Sequence, residues 1–412
     1  MPLFVLDPAL LRAGGRRAGR LFASLRALDE QLGGALVVRA GRPEEVVPQV
    51  AAEAGARAVH VSAETTPYGR RRDERVDAAL GPVPLIPTGS PYAVTPGRIL
   101  KDDGTPYRVF TPFSRAWLAR GWRGPASRTQ PEWLALGGEE IPAGDAHEAG
   151  EVAALVRWQQ FRDGPLARYA SERDRPDLDT TSRLSIPLKY GEIHPRTILA
   201  DIAGRPGTER FVVELCWREF YADVLWHAPG SAWRDLTPAL ASLPYDEPDP
   251  DVLDAWRAGR TGYPLVDAGM RQLLAEGWMH NRVRMVTASF LVKHLHVWWP
   301  HGARHFLEHL LDGDIASNSH GWQWVAGTGT DAAPYFRIFN PVTQGLKFDP
   351  DGAYVRRHVP ELAHLSGAAA HEPWKHPAGY AHGYPERIVD HVAARAEALA
   401  RYEQARAAKV SP

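Results

Sequence analysis

The chain of 412 residues reads as an α/β domain followed by a larger all-α domain. Three observations predict this. Short β-rich runs alternate with helical stretches at the start. A connector rich in Gly, Pro and charge follows at residues 123–147. From residue 148 onward the apolar spacing is mostly helical. The expected organisation is an α/β domain over 1–122, a linker over 123–147 and a helical domain over 148–412.

The strand candidates are residues 2–6, 35–39, 57–62 and 83–87. Helix-like segments at 16–32, 43–54 and 69–80 lie between them. This βαβα rhythm predicts a parallel, doubly wound sheet with helices on both faces. Neither GxGxxG nor a P-loop follows any of these runs, so a standard dinucleotide fold is not supported. The basic runs RRAGR and GRRRDER are most simply solvated helix faces. The last stretch, VDHVAARAEALARYEQARAAK, predicts a terminal helix.

Composition narrows the function. The apolar fraction of 44% and the charged fraction of 24% are those of an ordinary globular protein. Net charge is −1, so bulk charge gives no argument for a polyanion partner, although a local patch can still bind one. The single cysteine, Cys216, excludes intramolecular disulfides and argues against a structural zinc site; a reducing cytoplasm is expected. No apolar run reaches membrane-spanning length and no signal peptide is visible. The unusual feature is tryptophan: nine of the 14 lie between Trp217 and Trp324, which marks that region for a special use of aromatic rings.

The stretch DGDIASNSHGWQWVAGTGTDAAPYF, residues 312–336, sets Trp322 and Trp324 beside Asp312, Asp314, Asp331 and the amide of Asn318. With no Cys and one His it is not a metal site, and no metal is expected elsewhere. Two helix candidates carry a matching mixture. Residues 208–226 place Glu214, Trp217, Arg218 and Tyr221 on one face, and residues 278–299 place Trp278, Asn281, Arg282 and Met285 together. Either stripe alone can be a core edge with snorkelling charges. Together they suit a planar, hydrogen-bonding, uncharged ligand such as a nucleobase or an isoalloxazine. TTSRLS, residues 180–185, adds hydroxyls and an arginine ahead of the helix-like GEIHPRTILADI; this pattern serves phosphate binding or a plain helix cap.

TSRLS, ELCWREFY, TGYPLVDAGMRQL, GWMHNRVRMVTASFLVKHL and DGDIASNSHGWQWVAGTGTDAAPYFRIFNP resemble the photolyase/cryptochrome family, above all its class I cyclobutane pyrimidine dimer photolyases. The resemblance covers essentially the whole chain. It implies FAD held in a U shape in the helical domain. It also implies a light-driven electron transfer that splits a pyrimidine dimer flipped out of DNA. By the same resemblance Asp312 pairs with Arg284 and faces the flavin, with Gly313 and Asp314 beside it. Asn318 is the amide next to the reactive flavin nitrogen. Trp322 is the tryptophan nearest the flavin and Trp299 the second relay ring. The usual outer Trp is absent, and Tyr245 is the nearest aromatic to that place. Tyr169, Thr181, Ser182, Arg183, Leu184 and Ser185 hold the FAD phosphates and ribityl chain, and Phe211, Glu214, Arg218 and Tyr221 make further cofactor contacts. Glu214 hydrogen-bonds the dimer and Trp217 stacks on it. Asn281, Arg282 and Met285 line the dimer pocket, with Arg173, Arg282 and Gln344 near DNA. LSIPLKYGEI departs from the family's Leu-Ser-Pro at Ser185 but keeps the hydroxyls.

The resemblance further implies a monomer whose partner is dimer-containing DNA. A (6-4) photolyase is the runner-up within the family; Met285 and Trp217 favour the cyclobutane dimer. A cryptochrome-type photoreceptor is the alternative outside enzymology, and an unrelated flavin oxidoreductase lacks any nicotinamide motif. MPLFVLDPALL matches what is normally the family's second strand. The expected sheet is therefore a four-strand remnant of order 3-2-1-4-5 lacking its central strand. In it 2–6 pairs with 35–39 and faces 57–62 across a gap, and a misplaced start codon is the simpler explanation. The family's antenna, methenyltetrahydrofolate or 8-hydroxy-5-deazaflavin, belongs to this domain, and the missing strand puts its binding in question.

Overall fold

The structure is a computed structural model. It describes residues 1–410 apart from 13–14, 128, 130, 145–147, 238–239, 241–242, 333 and 336. Phe336 and parts of the 123–147 linker thus lie outside the described residues. The chain divides into two compact units, Met1–Ala167 with Ser182–Pro229, and Arg168–Thr181 with Gly230–Pro412. Elements are numbered in chain order.

The first unit holds β1 (Leu3–Leu6), α1 (Pro8–Leu11), α2 (Gly15–Gln31), β2 (Val37–Ala40), α3 (Pro43–Glu53), β3 (Val59–Val61), α4 (Pro67–Leu80), β4 (Leu85–Pro87), α5 (Phe110–Arg120), α6 (Gly150–Asp163), α8 (Ser185–Tyr190), α9 (Pro195–Asp201) and α10 (Glu209–His227). Every predicted strand and helix of the α/β part is present, with ends that differ by no more than two residues. β1 pairs parallel with β2, Leu3 opposite Val37, and β3 pairs parallel with β4, Val59 opposite Leu85. Among the described residues no ladder joins β1 to β3, so the sheet is split where the gap was expected. A two-stranded ribbon is marginal alone, and each pair leans on helices. Leu6 and Val38 pack with Leu25 of α2. Val59 and Leu85 pack with Ala51 of α3 and with Val76 and Leu80 of α4. α4 starts where Thr66 accepts a hydrogen bond from the Gly69 N–H and Pro67 presets φ, and it stops at Gly81, φ 60°.

Two features differ from the sequence reading. The linker is more than a connector: the Glu139 N–H donates to the Val38 carbonyl (2.8 Å), the Glu139 carboxylate accepts from the Ala40 N–H (2.9 Å), and Arg39 reaches the Gly137 carbonyl. It covers the open edge of β2, which would otherwise expose ladder groups. The RRAGR run is not all solvated. Arg20 is 3% exposed and donates to both oxygens of Glu192 at 2.7 and 2.6 Å, while Ser24 and the Gly150 N–H also donate to that carboxylate. Arg20 sits on the inner face of α2, one turn from Ser24, so the helix buries it. Arg70 of the second basic run lies over the Trp226 ring at 3.9 Å.

Helices α6 and α8–α10 pack in this first unit, so residue 147 marks a change of secondary structure and not of packing. A reason is visible on α10. Glu219 is fully buried and accepts from the Ala93 and Val94 N–H groups and from Trp117 Nε1. Asp223, one turn on, accepts from the Gly97 N–H at 2.7 Å. Burial pushes the Glu219 carboxyl above its ordinary range, and the three donors work against that rise.

The second unit holds α7 (Tyr169–Glu172), α11 (Pro250–Arg257), α12 (Pro264–Glu276), α13 (Asn281–Lys293), α14 (Trp299–His309), α15 (Ile315–Ala326), α16 (Pro341–Phe348), α17 (Ala353–His358), α18 (Ala368–His371) and α19 (His391–Val410). One continuous core includes Trp256, Met270, Leu273, Phe290, Trp299, Phe306 and Trp322. Each such side chain contributes about 1.5–3 kcal/mol of transfer free energy. The TGYPLVDAGMRQL motif is explained by Asp267. Its buried carboxylate accepts from the Thr261 N–H and hydroxyl, the Gly262 N–H and the Tyr384 hydroxyl. Residues 278–299 do not form one helix. Gly277 closes α12 in the left-handed region, Trp278 precedes α13, and the chain turns at His296 (φ 53°) before α14. Pro300 explains the break, because it fits the first turn of a new helix and not the interior of an old one. Among the described residues no helix is long and apolar enough to cross a membrane.

The Arg20–Glu192 pair yields a stability prediction. Glu192→Ala leaves a buried guanidinium uncompensated and should cost about 3–5 kcal/mol in urea unfolding. A cost below about 1 kcal/mol, typical of a surface pair, would contradict the buried assignment.

Candidate functional site

In the second unit the DGD turn lies between α14 and α15. Asp312 is buried, and its Oδ2 accepts from the Arg284 guanidinium at 2.8 Å; Arg284 Nε also donates to the Met279 carbonyl at 2.7 Å. The other oxygen, Asp312 Oδ1, is buried with no hydrogen-bond partner among the described residues. Asp314 caps α15 by accepting from the Ser317 N–H at 2.7 Å, and Gly313 is the turn residue between the two acids. Asn318 lies one turn further and donates to the Ala303 carbonyl at 3.0 Å, which fixes its amide. Trp322 is 3% exposed and rests on Gly302, where a Cβ would collide with the indole. Its ring centroid lies 4.9 Å from that of Phe306 and 6.1 Å from that of Trp256. Trp324, two residues on, falls on nearly the opposite side of the helix and is half-buried.

Trp299 opens α14 and donates its indole N–H to Asp235 at 2.7 Å. The Tyr245 hydroxyl is buried with no partner among the described residues. Burial first, then Tyr335 and Asp235, pushes its pKa upward. A phenol with nowhere to send its proton is a poor electron donor, which weighs against the role expected for Tyr245.

Arg282 donates to Asp174 at 3.0 Å and lies over the Phe348 ring at 4.5 Å, while its Nε is buried without a partner. Asn281 is exposed at the start of α13 and Met285 is half-buried one turn on. Gln344 Oε1 is buried and unpartnered. Arg173 lies over the Tyr169 ring at 5.9 Å. Nearby in sequence, Asp179 and Arg183 both adopt φ 50°, a region L-residues rarely enter. Between them the Thr180 and Thr181 hydroxyls are buried with no partner among the described residues. These hydroxyls cap no helix: α8 has no side-chain cap, and α9 is capped by His194.

In the first unit, α10 presents Glu214, Trp217, Arg218 and Tyr221 on one half-buried face, as the spacing predicted. Glu214 pairs with Arg210 at 3.3 Å. One face of Trp217 is covered by Phe110, with ring centroids 3.7 Å apart and planes within 4°; Tyr221 stands 5.3 Å away. Arg218 donates to the Pro91 and Leu188 carbonyls and lies over Tyr92. Phe211 packs between Trp158 and Phe161 in the core. Arg218 and Phe211 are therefore engaged in the packing of this unit. Ser182 Oγ accepts from the Leu184 N–H at 3.3 Å, Leu184 is buried and Ser185 opens α8. Sequence reasoning missed Glu219, Asp267, His320 and Gln323. His320 contacts the Ser231 hydroxyl and the Ala316 carbonyl, and Gln323 bridges the Ser231 carbonyl and the Leu236 N–H. Polar residues at apolar-face positions were the signal.

Buried polar atoms normally find partners, and an orphan calls for a ligand or a cost. Asp312 Oδ1 and the Thr180 and Thr181 hydroxyls fit a large hydrogen-bonding cofactor such as FAD. These features define a candidate cofactor site. Residues 211–404 match the FAD binding domain of DNA photolyase, and residues 1–132 match the DNA photolyase domain. The chain belongs to the DNA photolyase family, and its cofactor is FAD. It is 43% identical to the deoxyribodipyrimidine photo-lyase of Streptomyces griseus, over 98% of this chain and 93% of the relative. The crystal structure of a bacterial class III photolyase from Agrobacterium tumefaciens aligns with a TM-score of 0.89 at 36% identity, covering 99% of this chain and 92% of that one. The Synechocystis sp. PCC6803 cryptochrome aligns at 0.83 and 27% identity, covering 97% and 92%.

Buried imidazoles make the second unit acid-sensitive. Burial, the main cause, holds His280 and His320 down to about 4 and His294 down to about 3, against an ordinary 6.5. Above pH 6.5 the rings are neutral folded and unfolded, and no linkage acts. Below it only the unfolded chain takes up protons, so each ring removes about 1.4 kcal/mol of stability per pH unit until its folded pKa is reached. Urea midpoints should fall steadily from pH 7 to pH 5. A flat profile would show that these rings titrate as if exposed.

Proposed function

We propose that this protein repairs cyclobutane pyrimidine dimers in DNA by light-driven electron transfer. The observation that carries the reading is the set of orphaned polar atoms, Asp312 Oδ1 with the Thr180 and Thr181 hydroxyls, at and beside positions that the resemblance gives to the flavin. When bound and reduced, FAD supplies the electron that opens the dimer, and the electron returns, so no second substrate is consumed.

The remaining roles belong to the chain. Asp312, fixed by Arg284, and Asn318, fixed on Ala303, orient the isoalloxazine. Tyr169, Thr181, Ser182, Arg183, Leu184 and Ser185 hold the phosphates and ribityl chain, with Gly313, Asp314 and Tyr221 in support. Glu214 hydrogen-bonds the dimer, a preorganised contact that works best away from water. Trp217 offers it an indole made rigid by Phe110. Stacking is worth about 1–3 kcal/mol per base and offsets part of the few kcal/mol needed to extrude the lesion. Asn281 and Met285 line the pocket; Arg173, Arg282 and Gln344 meet the DNA, with a salt-dependent affinity. Trp322 and Trp299 relay the electron that reduces the flavin. The protein acts as a monomer in the cytoplasm.

The likeness to the Synechocystis cryptochrome supports a second reading, a blue-light photoreceptor. A repair assay separates the two: reduced holoprotein, an oligonucleotide with one dimer, and blue light. Loss of the dimer only in the light supports the enzyme; a photocycle without dimer loss supports the receptor. Trp217→Ala should weaken binding of damaged DNA by about 1–3 kcal/mol at normal flavin content, and unchanged binding would make Trp217 a packing residue only. Trp322→Phe should abolish photoreduction of oxidised flavin and leave repair by chemically reduced protein intact. Normal photoreduction in this variant would remove Trp322 from the relay.

A further inference from the structure

We propose that His305, Glu308 and His309 on α14 form a binding site for a divalent first-row metal ion, with Zn²⁺ as the fitting occupant. The sequence HFLEH places imidazoles at i and i+4 and a carboxylate at i+3, which brings all three to one side of the helix. One donor atom from each lies within 4.8 Å of the other two. The imidazole centroids of His305 and His309 are 4.6 Å apart. The expectation of no metal rested on the single cysteine and on the one histidine of residues 312–336, neither of which bears on a His–Glu–His set elsewhere.

A second observation points to a ligand. His305 is 6% exposed, and its Nε2 is buried with no hydrogen-bond partner among the described residues. Leaving a ring nitrogen in that state costs free energy, and a coordinated cation removes the cost. The Trp256 ring, 5.6 Å from that of His305, gives the site an apolar wall. Glu308 is exposed and His309 half-buried, so the other side is accessible from water. Zinc bonds run to about 2.0–2.2 Å, the three donor atoms all lie within 4.8 Å of one another, and the exposed Glu308 side chain can adjust. Two imidazoles and one carboxylate with an open position are a known zinc donor set, and imidazole disfavours Mg²⁺ and Ca²⁺. The opposing charge is Arg257, which is already paired with Asp254 at 3.0 Å. None of the three ligands serves the flavin or DNA roles above, so the proposal stands apart from that reading.

The test uses the full FAD-loaded chain, treated with a chelator and then dialysed. Zn²⁺ is titrated by calorimetry, and Co²⁺ by its visible absorption. The expected result is one ion per chain and Co²⁺ bands of a low-coordinate nitrogen–oxygen site. His309→Ala and Glu308→Gln should each weaken binding by more than about tenfold, with circular dichroism and flavin content unchanged. His305→Phe should abolish binding, but it alters the core, so the decision rests on the two solvent-side variants. Absence of Zn²⁺ binding would overturn the proposal, as would wild-type affinity in both solvent-side variants.

Discussion

A buried carboxylate must be answered by partners, and the Arg284–Asp312 pair is where the helical unit meets this demand only in part. Arg284 satisfies one oxygen at 2.8 Å and the other has no partner among the described residues. Breaking a buried pair by removing one member costs several kcal/mol, so the turn between α14 and α15 is tied to α13. Once it is tied, the rest of α15 is set in place. Asp314 caps the helix, Asn318 reaches Ala303 and Trp322 seats on Gly302.

The first unit shows the contrasting case. Glu219 and Glu192 are equally deep, yet each gathers three or more donors from its own unit. Such carboxylates need nothing from outside and act as structural ties. Asp267 is the same kind of group in the second unit. Completeness of satisfaction, not burial, sets Asp312 apart from these three carboxylates. It also separates residues within the expected site: Arg218 and Phe211 are occupied by local packing, whereas the Thr180 and Thr181 hydroxyls are not.

The sheet and its helices were legible because alternation, Pro, Gly and cap residues all mark local boundaries. The gap between β1 and β3 followed from strand order. The α10 stripe followed from helical spacing, and the half-buried state of Glu214, Trp217, Arg218 and Tyr221 agrees with it. What failed depended on partners distant in sequence. Nothing in RRAGR announces that Arg20 meets Glu192, 172 positions away. Nothing in the Gly- and Pro-rich linker announces that Glu139 will cover β2. The helix candidate at 278–299 hid its break because the left-handed turn falls on His296 and not on glycine. The tyrosine near the absent outer tryptophan could be named, but not the lack of a proton acceptor at its hydroxyl.

The central claim is that orphaned polar atoms in the helical unit are completed by the flavin. Thr181→Val tests it most directly, because it removes one orphan hydroxyl and keeps the shape of the side chain. FAD is titrated into flavin-free protein, and urea unfolding is followed without FAD. The account predicts that the flavin-free variant is as stable as wild type or more so, while FAD affinity falls by about fivefold to tenfold, the worth of one hydrogen bond. The opposite pattern, a less stable flavin-free chain with unchanged FAD affinity, would contradict it.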